Sequence, residues 1–339
     1  MRLQVSAGML VKGLRLPRFA TCSPARVSVS RALGSLVGAL LTAVLLAGCG
    51  LGAGPAPSAV HLTVTHDFGA SLVRAWSAPR VVGQETAMSL LMRNATVKTR
   101  YGGGFVESVD GLSGGEAGGQ PSDWFYYVNG VEAPKGAAAT NVHPGDHIWW
   151  DLHDWSQTDS VPAVVGSFPE PFLNGIDGKR LPVRIECTVV AGYACRTVTE
   201  RLRALGVPAA IAAIGSGGEP ETLRVMVGPW TAVEGDPSTH QIESGPGASG
   251  VYARFSTGGQ RLTLLNERGS PARTLIADAG LVAATRRAEE APVWVVTGTD
   301  SAGVELAARA FNASALQNRF ALALAPGGSE LPVPVGVGG

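Results

Sequence analysis

Residues 123–155 read DWFYYVNGVEAPKGAAATNVHPGDHIWWDLHDW and hold four of the seven Trp of a chain that is only 6% aromatic. Within this stretch, the apolar runs 124–128 and 147–152 are separated by turn-forming residues such as Asn129-Gly130. Aromatic runs bounded by such residues are typical of strands, and Asn-Gly favours tight hairpin turns because both residues tolerate a positive φ. The stretch therefore predicts a β-ribbon with a broad aromatic surface.

The second run divides into two faces, because successive side chains of a strand point to opposite sides. We assign the core face to Ile148, Trp150 and Leu152. The other face mixes polar and aromatic residues: His147, Trp149, Asp151, His153 and Trp155. A face of this kind is suited to a flat ligand, a sugar or the edge of a partner. The alternative is that Trp149 and Trp155 cap a small core, since aromatic side chains dominate core packing.

The two runs together give a candidate ligand-binding set on the ribbon: Trp124, Tyr126, Trp149, Asp151, His153 and Trp155. Aromatic rings interleaved with a carboxylate and an imidazole suggest binding rather than catalysis. No complete catalytic constellation is visible in the sequence, so we predict no catalytic residues and no enzyme activity.

A metal site is the sharpest chemical alternative, with His143, His147, Asp151 and His153 as its ligands. Asp151 and His153 lie two residues apart on one strand face, a spacing from which two ligands can reach one ion. His147 lies four residues before Asp151, which is too far along an extended strand for easy convergence. We therefore predict satisfied polar residues here, with no metal and no resident cofactor.

Composition limits the broad class of the protein. The formal net charge is zero, which argues against a nucleic-acid binder, since such a protein needs a basic face. The 45 Gly and 22 Pro, with charged residues at only 16%, indicate a β-containing protein with many turns. Because 45% of the residues are hydrophobic, the chain can bury a core and is not disordered.

The amino terminus carries the most specific signal in the chain. Several Arg residues precede an uncharged apolar run at 32–47, which ends in Leu46-Ala47-Gly48-Cys49. A basic region, an apolar region and small residues before a cleavage point predict a secretory signal. The motif also resembles the lipobox of bacterial lipoproteins, which implies that Cys49 is acylated, palmitate being one such chain, and becomes the first mature residue. The alternative is an uncleaved signal anchor.

The remaining cysteines predict one disulfide. Cys22 belongs to the leader and Cys49 to the lipid anchor, which leaves Cys187 and Cys195 as an even pair in an exported protein. Oxidising surroundings favour a disulfide between them. A zinc site is disfavoured because no His lies near either thiol in the sequence.

The second half of the chain has a different pattern. Strands are predicted at 183–190 and 209–214 around a helix at 196–205, and a similar order recurs from 292 to 324. Two β-α-β units suggest an α/β domain with helices packed on a sheet. The predicted organisation has six parts: a lipoprotein signal peptide at 1–49, a tether at 50–58, a first domain at 59–156, a linker at 157–180, an α/β domain at 181–325 and a Pro/Gly tail at 326–339.

The first domain resembles a known family through four motifs, at 83–91, 105–111, 124–130 and 144–150. Their order is similar to that of DUF4430, which is also the carboxy-terminal β-domain of transcobalamin and gastric intrinsic factor. The resemblance implies an α+β protein with a small β-grasp-like domain, and in the vitamin carriers this domain closes over one face of cobalamin. The carriers also use a helical barrel, for which this chain has no repeats.

Two functions from different classes follow from these expectations. The first is a lipoprotein anchored at the extracellular side of the cell membrane, which captures a small molecule at its aromatic face for uptake. A corrinoid is the ligand that the family implies, and a transporter component would be the partner. The second is a surface scaffold that binds proteins or cell-envelope glycans through the same face.

Overall fold

The computed structural model describes residues 59–76, 81, 83–117, 119–216 and 219–336. The predicted signal peptide, the tether, Cys49 and the last three residues of the predicted tail lie outside these ranges. None of the helices in the described part of the chain has the length and apolar character needed to cross a bilayer.

The aromatic ribbon lies at the centre of an amino-terminal sheet. The strands of the amino-terminal half are β1 (His61–His66), β2 (Ser71–Trp76), β3 (Val97–Arg100), β4 (Phe105–Val109), β5 (Leu112–Ser113), β6 (Gly115–Ala117), β7 (Gln120–Val128), β8 (Val131–Glu132) and β9 (His147–Asp154). The main sheet has the order β2-β1-β9-β7-β6, with β8 paired to β7, while β3, β4 and β5 form a separate small sheet. Strand β9 runs parallel to β1 and antiparallel to β7, so the ribbon predicted from the aromatic runs is confirmed.

One helix, α1 (Ala87–Asn94), covers a face of this sheet. Thr86 caps its first turn, because the Thr86 hydroxyl accepts a hydrogen bond from the Ser89 amide at 3.2 Å and the Ser89 hydroxyl accepts one from the Thr86 amide at 2.9 Å. The apolar residues at helical spacing, Ala87, Met88, Leu90 and Leu91, are buried. The apolar face of α1 therefore packs on the sheet.

The second half contains a seven-stranded sheet and a small three-stranded one. Its strands are β10 (Val183–Cys187), β11 (Ala209–Ala213), β12 (Leu223–Pro229), β13 (Ala253–Phe255), β14 (Leu262–Leu265), β15 (Pro271–Leu275), β16 (Gly280–Thr285), β17 (Val293–Gly298), β18 (Ala321–Leu324) and β19 (Glu330–Val333). The large sheet has the order β11-β10-β12-β17-β16-β18-β19. Strands β11, β10, β12 and β17 are parallel, and β16 is antiparallel to its neighbours.

The helices of this half are α2 (Tyr193–Ala204), α3 (Trp230–Val233), α4 (Pro237–His240), α5 (Pro246–Ser249), α6 (Ser301–Ala310) and α7 (Ala313–Leu316). Helix α2 links β10 to β11, and α6 with α7 links β17 to β18, as the two predicted β-α-β units require. The second unit differs in one respect, because β16 is inserted between β17 and β18.

Three apolar cores hold these layers together. One lies between α1 and the amino-terminal sheet and includes Leu62, Leu91 and Trp150. A second lies between that sheet and the seven-stranded sheet, and it contains residues of both, such as Trp149 and Val295. The third lies under α2 and α6. The described residues therefore form one compact unit of mixed α and β structure, dominated by several sheets.

Two predicted segments differ from the structure. The stretch 157–180 is not an exposed linker, because Val161, Val164, Val165 and Phe168 are all at least 93% buried within the cores. The tail also joins the fold, since β19 pairs with β18 and buries Val333. Pro residues separate the apolar residues of the predicted linker and limit its regular structure. A segment without regular hydrogen bonding can still bury its side chains.

The predicted disulfide is present and joins Cys187 at the end of β10 to Cys195 in the first turn of α2. Both residues are buried, and the sequence separation is 8. The crosslink closes a short loop and so limits the freedom of the unfolded chain.

Reduction of this disulfide is expected to lower the free energy of unfolding by about 2–3 kcal/mol, the loop-entropy value for a ring of this size. The measurement is urea unfolding of the protein with and without dithiothreitol. The double variant Cys187→Ala/Cys195→Ala is the control, and dithiothreitol should not shift its transition. An equal shift in both proteins would contradict a stabilising role of this crosslink.

Candidate ligand-binding cleft

The face of β9 that the sequence assigns to ligand binding is buried in the structure. Trp149 and Asp151 are fully buried, and His153 is only 3% exposed. The alternation of the strand is as predicted, since Ile148 and Trp150 pack under α1 while Trp149 points to the opposite side. The prediction failed because the second half of the chain packs on that opposite face. Trp149 therefore caps a core, the alternative reading of the pattern.

The other predicted ligand residues do not form an open surface either. Trp124 is 6% exposed and lies in the core under α1. Tyr126 stacks on Trp150 with ring centroids 4.8 Å apart, and its hydroxyl donates to the Lys135 carbonyl. Trp155, just beyond β9, is partly exposed.

The carboxylate of Asp151 is held by hydrogen bonds from other groups of the protein. Its carboxylate accepts hydrogen bonds from the Thr65 hydroxyl at 2.5 Å, from the Phe68 and Gly69 amides at 3.1 and 2.8 Å, and from His153 Nδ1 at 2.9 Å. Trp149 Nε1 donates to the same Thr65 hydroxyl at 2.7 Å. A buried carboxylate needs donors of this number to offset the loss of hydration. The polar residues of this face therefore hold β9 to the turn after β1.

That turn inserts Phe68 into the core between the sheets. Asp67 and Phe68 have positive φ angles of 58° and 56°, and Gly69 follows with a φ of 81°. The Phe68 ring lies 5.1 Å from the rings of Tyr252 and Phe320, both in the second half of the chain. A side chain on Gly69 would collide with the Asn318 carbonyl, since its Cβ would lie 1.9 Å from that oxygen. The turn is thus shaped by contacts far away in the sequence.

The four residues considered as alternative metal ligands do not converge. Asp151 and His153 contact each other, whereas His147 Nε2 is hydrogen-bonded to the Thr63 hydroxyl at 3.0 Å. His143 lies beside Asp146 instead, with Nδ1 at 3.4 Å from the carboxylate. No group of three His, Cys, Asp or Glu residues in the described ranges is arranged to hold a metal ion.

A large cavity lies elsewhere, at the amino-terminal ends of β1 and β9. It has a volume of about 790 Å³. One wall consists of β1, β2 and the start of β9, the second of residues 166–174, and the third of α7. Its lining includes His61, Thr63, Trp76, His147, Ser167, Phe168, Glu170, Leu173, Asn174, Ala313 and Gln317. We call this cavity the cleft.

The sheet wall of the cleft presents two imidazoles side by side. His61 and His147 are paired in the parallel register of β1 and β9, and their rings are 6.4 Å apart in an edge-to-face arrangement. Burial, with a smaller contribution from the nearby His61, lowers the pKa of His147 to about 4. His147 is therefore neutral at physiological pH.

The wall formed by residues 166–174 contains a buried hydroxyl with no bonding partner. Ser167 is 2% exposed, and its Oγ finds no hydrogen-bond partner among the described residues. Gly166 allows this segment to lie against the sheet, because a Cβ at that position would be 2.5 Å from the Trp149 ring. Buried polar groups are usually bonded, so an unpaired hydroxyl in a cleft is a candidate ligand contact.

Glu170 is the carboxylate of the same wall and is 5% exposed. Its oxygens accept hydrogen bonds from the Asn174 amide at 2.9 Å and from Asn174 Nδ2 at 2.5 Å. Burial raises the pKa of Glu170 to about 7 despite these bonds. Perturbed ionisable groups in a cavity are characteristic of functional sites, although structural networks also produce them.

Sequence reasoning missed most of the cleft. His61 was not singled out in the sequence, and Ser167 and Glu170 fell within the predicted linker. The apolar run at 163–165 and the phenylalanines at 168 and 172 were the available signal, because such residues are rarely left exposed together. Nothing in the sequence indicates that this segment faces the beginnings of β1 and β9.

Comparisons with known proteins identify the first domain. Residues 84–154 match the family model described as "Domain of unknown function (DUF4430)", which confirms the predicted resemblance for this segment. The chain is also similar to a solved structure from Ruminococcus gnavus ATCC 29149, described as a "putative metal binding protein", at 18% identity. That similarity covers 29% of this chain and 97% of the other, with a TM-score of 0.24. No curated protein matches the chain significantly.

Asp151→Asn is expected to lower the free energy of unfolding by about 3 kcal/mol, because an amide nitrogen would replace one of the two acceptor oxygens among buried donors. Urea unfolding followed by Trp fluorescence gives this quantity. Asp159→Asn, at an exposed position, is the matched control and should stay within about 0.5 kcal/mol of the parent protein. Equal stability of the two variants would show that Asp151 does not hold the turn.

Proposed function

We propose that this protein is an extracytoplasmic lipoprotein that captures a small molecule in the cleft. The observation that carries the proposal is a cavity of about 790 Å³ with the unpaired, buried Ser167 hydroxyl in its wall. Pockets for small ligands are commonly about 300–1,000 Å³ and combine apolar lining with a few fixed polar groups. The cleft has both, since Trp76, Phe168 and Leu173 accompany the polar side chains.

The cleft is built on well-packed elements, which favours a pre-formed site. Strands β1 and β9 are central in their sheet, and Gly166 brings the second wall into contact with buried Trp149. The polar groups are held as well, because Thr63 bonds His147 and Asn174 bonds Glu170. A ligand would find these groups already oriented, which lowers the entropic cost of binding.

The cleft replaces the aromatic face as the proposed site. A flat apolar surface was the basis of the scaffold alternative, and the burial of Trp149 and His153 supports the cleft over that surface. We further propose a binding role without catalysis, since His147 is held neutral by burial and engaged by Thr63.

Other parts of the proposal rest on the sequence. The lipobox at Cys49 supports an acyl anchor at the extracellular side of the membrane, and capture at that surface suits delivery to a transporter component. The order β2-β1-β9-β7-β6, with β1 parallel to β9 and α1 across one face, supports a β-grasp-like arrangement of the first domain. A corrinoid is the ligand that the family resemblance implies, and it is included in the test below.

The proposal predicts that the purified full chain retains compounds from the small-molecule fraction of a bacterial extract. Ala313→Trp should reduce this retention at least ~10-fold, because the exposed Ala313 lines the cleft and an indole there would fill its mouth. Retained compounds are identified by mass spectrometry after gel filtration in mild detergent, and cyanocobalamin is tested separately as a pure compound.

Ala302→Trp is the matched control for this experiment. Ala302 is also exposed in the first turn of a helix, but it does not line the cleft. The Ala302→Trp variant should retain as much of the extract compounds as the parent protein does. If nothing is retained, or if both variants retain equally, capture in the cleft is wrong.

Cys49→Ala is expected to release the protein from the membrane fraction, because the lipid anchor cannot form without this thiol. Immunoblots of membrane and soluble fractions measure the distribution, and the mass of the amino-terminal peptide reports acylation. Cys22→Ala, within the predicted leader, is the control and should leave the protein in the membranes. A Cys49→Ala variant that stays in the membrane fraction would favour an uncleaved signal anchor.

A further inference from the structure

The charges around the cleft are one-sided. Among the described residues that line it, Glu170 is the one carboxylate, and there is no Lys or Arg. His61 and His147 are the remaining ionisable groups of the lining, and the pKa of His147 is lowered to about 4 by burial. Phosphates, sulfates and carboxylates are normally held by Arg, Lys or helix amino ends. The amino end of the four-residue α7 in the cleft wall is already capped by the Asn312 side chain, which accepts a hydrogen bond from the Ala315 amide. The lining therefore disfavours anionic ligands.

Glu170 is a buried carboxylate without an ion pair among the described residues. Its hydrogen bonds come from Asn174, and no cation lies within salt-bridge distance. Two charged groups act on Glu170. Asp146 raises its pKa, and Arg180 lowers its pKa but has the smallest effect of all the contributing groups. Buried charges in proteins are usually paired, because an unpaired one pays the full cost of lost hydration. A cation in the cleft would supply the missing partner.

Ser167 adds an acceptor to the same wall. It lies three residues before Glu170, and the Glu170 amide donates to the Ser167 carbonyl at 2.9 Å, so one turn carries both side chains. The unpaired Ser167 hydroxyl can accept a hydrogen bond from an N–H group. A quaternary ammonium has no N–H to donate, whereas a primary or secondary ammonium does.

The rest of the lining is suited to a carbon skeleton. Trp76 lies on the sheet wall, and Phe168 and Leu173 lie on the wall that carries Glu170. Apolar side chains around one fixed charge are the usual arrangement for an amphipathic organic ligand. An inorganic cation would leave these side chains without a role and would demand further oxygen ligands close to Glu170.

We propose that the cleft selects an organic ammonium ion, with Glu170 as its counter-ion, Ser167 as a hydrogen-bond acceptor and the apolar side chains around its carbon skeleton. This inference rests on the proposed function, since it names the ligand class of the same cleft. Neutral polyols and sugars can also bind without Lys or Arg, so they are the competing ligand class in the test.

The test compares three probes with one carbon skeleton and different charges: phenethylamine, phenethyl alcohol and phenylacetate. Dissociation constants are measured by calorimetric titration of the full chain in mild detergent at about pH 8. The amine should bind at least ~10-fold more tightly than the alcohol, and phenylacetate should bind most weakly. Glu170→Gln should bring the amine and the alcohol to similar affinity, while Glu200→Gln, an exposed change on α2, should keep the preference.

Acidification provides a second readout. The carboxyl of Glu170 is ionised above a pKa of about 7 and neutral below it, whereas an alkyl ammonium stays protonated throughout this range. The preference for the amine over the alcohol should therefore decrease between about pH 8 and pH 5.5, and it should be insensitive to pH in Glu170→Gln. His61 lines the opposite wall of the cleft, and the variant His61→Asn separates its contribution from that of Glu170.

The outcomes separate the two proposals. Equal binding of the amine and the alcohol, or tighter binding of phenylacetate, overturns the ammonium assignment, as does a preference that survives in Glu170→Gln. If the amine does not bind while extract compounds are still retained in a manner sensitive to Ala313→Trp, the assignment is wrong and capture in the cleft stands. If neither is observed, both proposals are wrong. Should Glu170→Gln fail to fold, Ser167→Ala is measured instead, with a selective loss of amine affinity expected.

Discussion

The buried carboxylate of Asp151 is the interaction on which the arrangement of this protein depends. It sits in the middle of β9 and accepts hydrogen bonds from Thr65 on β1 and from the amides of Phe68 and Gly69 in the following turn. Such a group is costly to bury unless every acceptor is used, so it fixes the turn in one geometry. That geometry directs the Phe68 ring between Tyr252 and Phe320, and so joins the first domain to the second half of the chain.

Close packing on both faces of β9 also determines where an open site can exist. Over the middle of the strand, Trp149 and Trp150 are both buried, one against each core. Packing is incomplete at the first residues of β1 and β9, where His61 is exposed and His147 only partly covered. The segment 166–174 and α7 stand beyond these residues and enclose the cleft. The cleft therefore forms where the packing between the first and second halves of the chain ends.

Local patterns predicted the elements of this fold well and their partners poorly. The aromatic runs, the two β-α-β units and the Cys187–Cys195 bond all follow from short-range rules that the structure obeys. A period of two shows that the faces of β9 differ, but it carries no information on what covers each face. Phe320 packs on Trp149 from more than a hundred residues away. For the same reason, Ser167 and Glu170 resembled linker residues until their surroundings were known.

Burial raises the free-energy cost of ionising Glu170, and it also strengthens the attraction between the ionised carboxylate and a bound cation. An ionised carboxylate in this wall lowers the stability of the unliganded protein as the pH rises from about 4.5 through its folded pKa of about 7, because the folded state binds more protons than the unfolded state in that range. A cation that binds only the folded protein restores stability, by an amount that grows with the logarithm of its concentration above the dissociation constant. Under the proposed assignment, ligand binding and the relief of this buried charge are one event, and its stabilising effect is greatest where Glu170 is ionised.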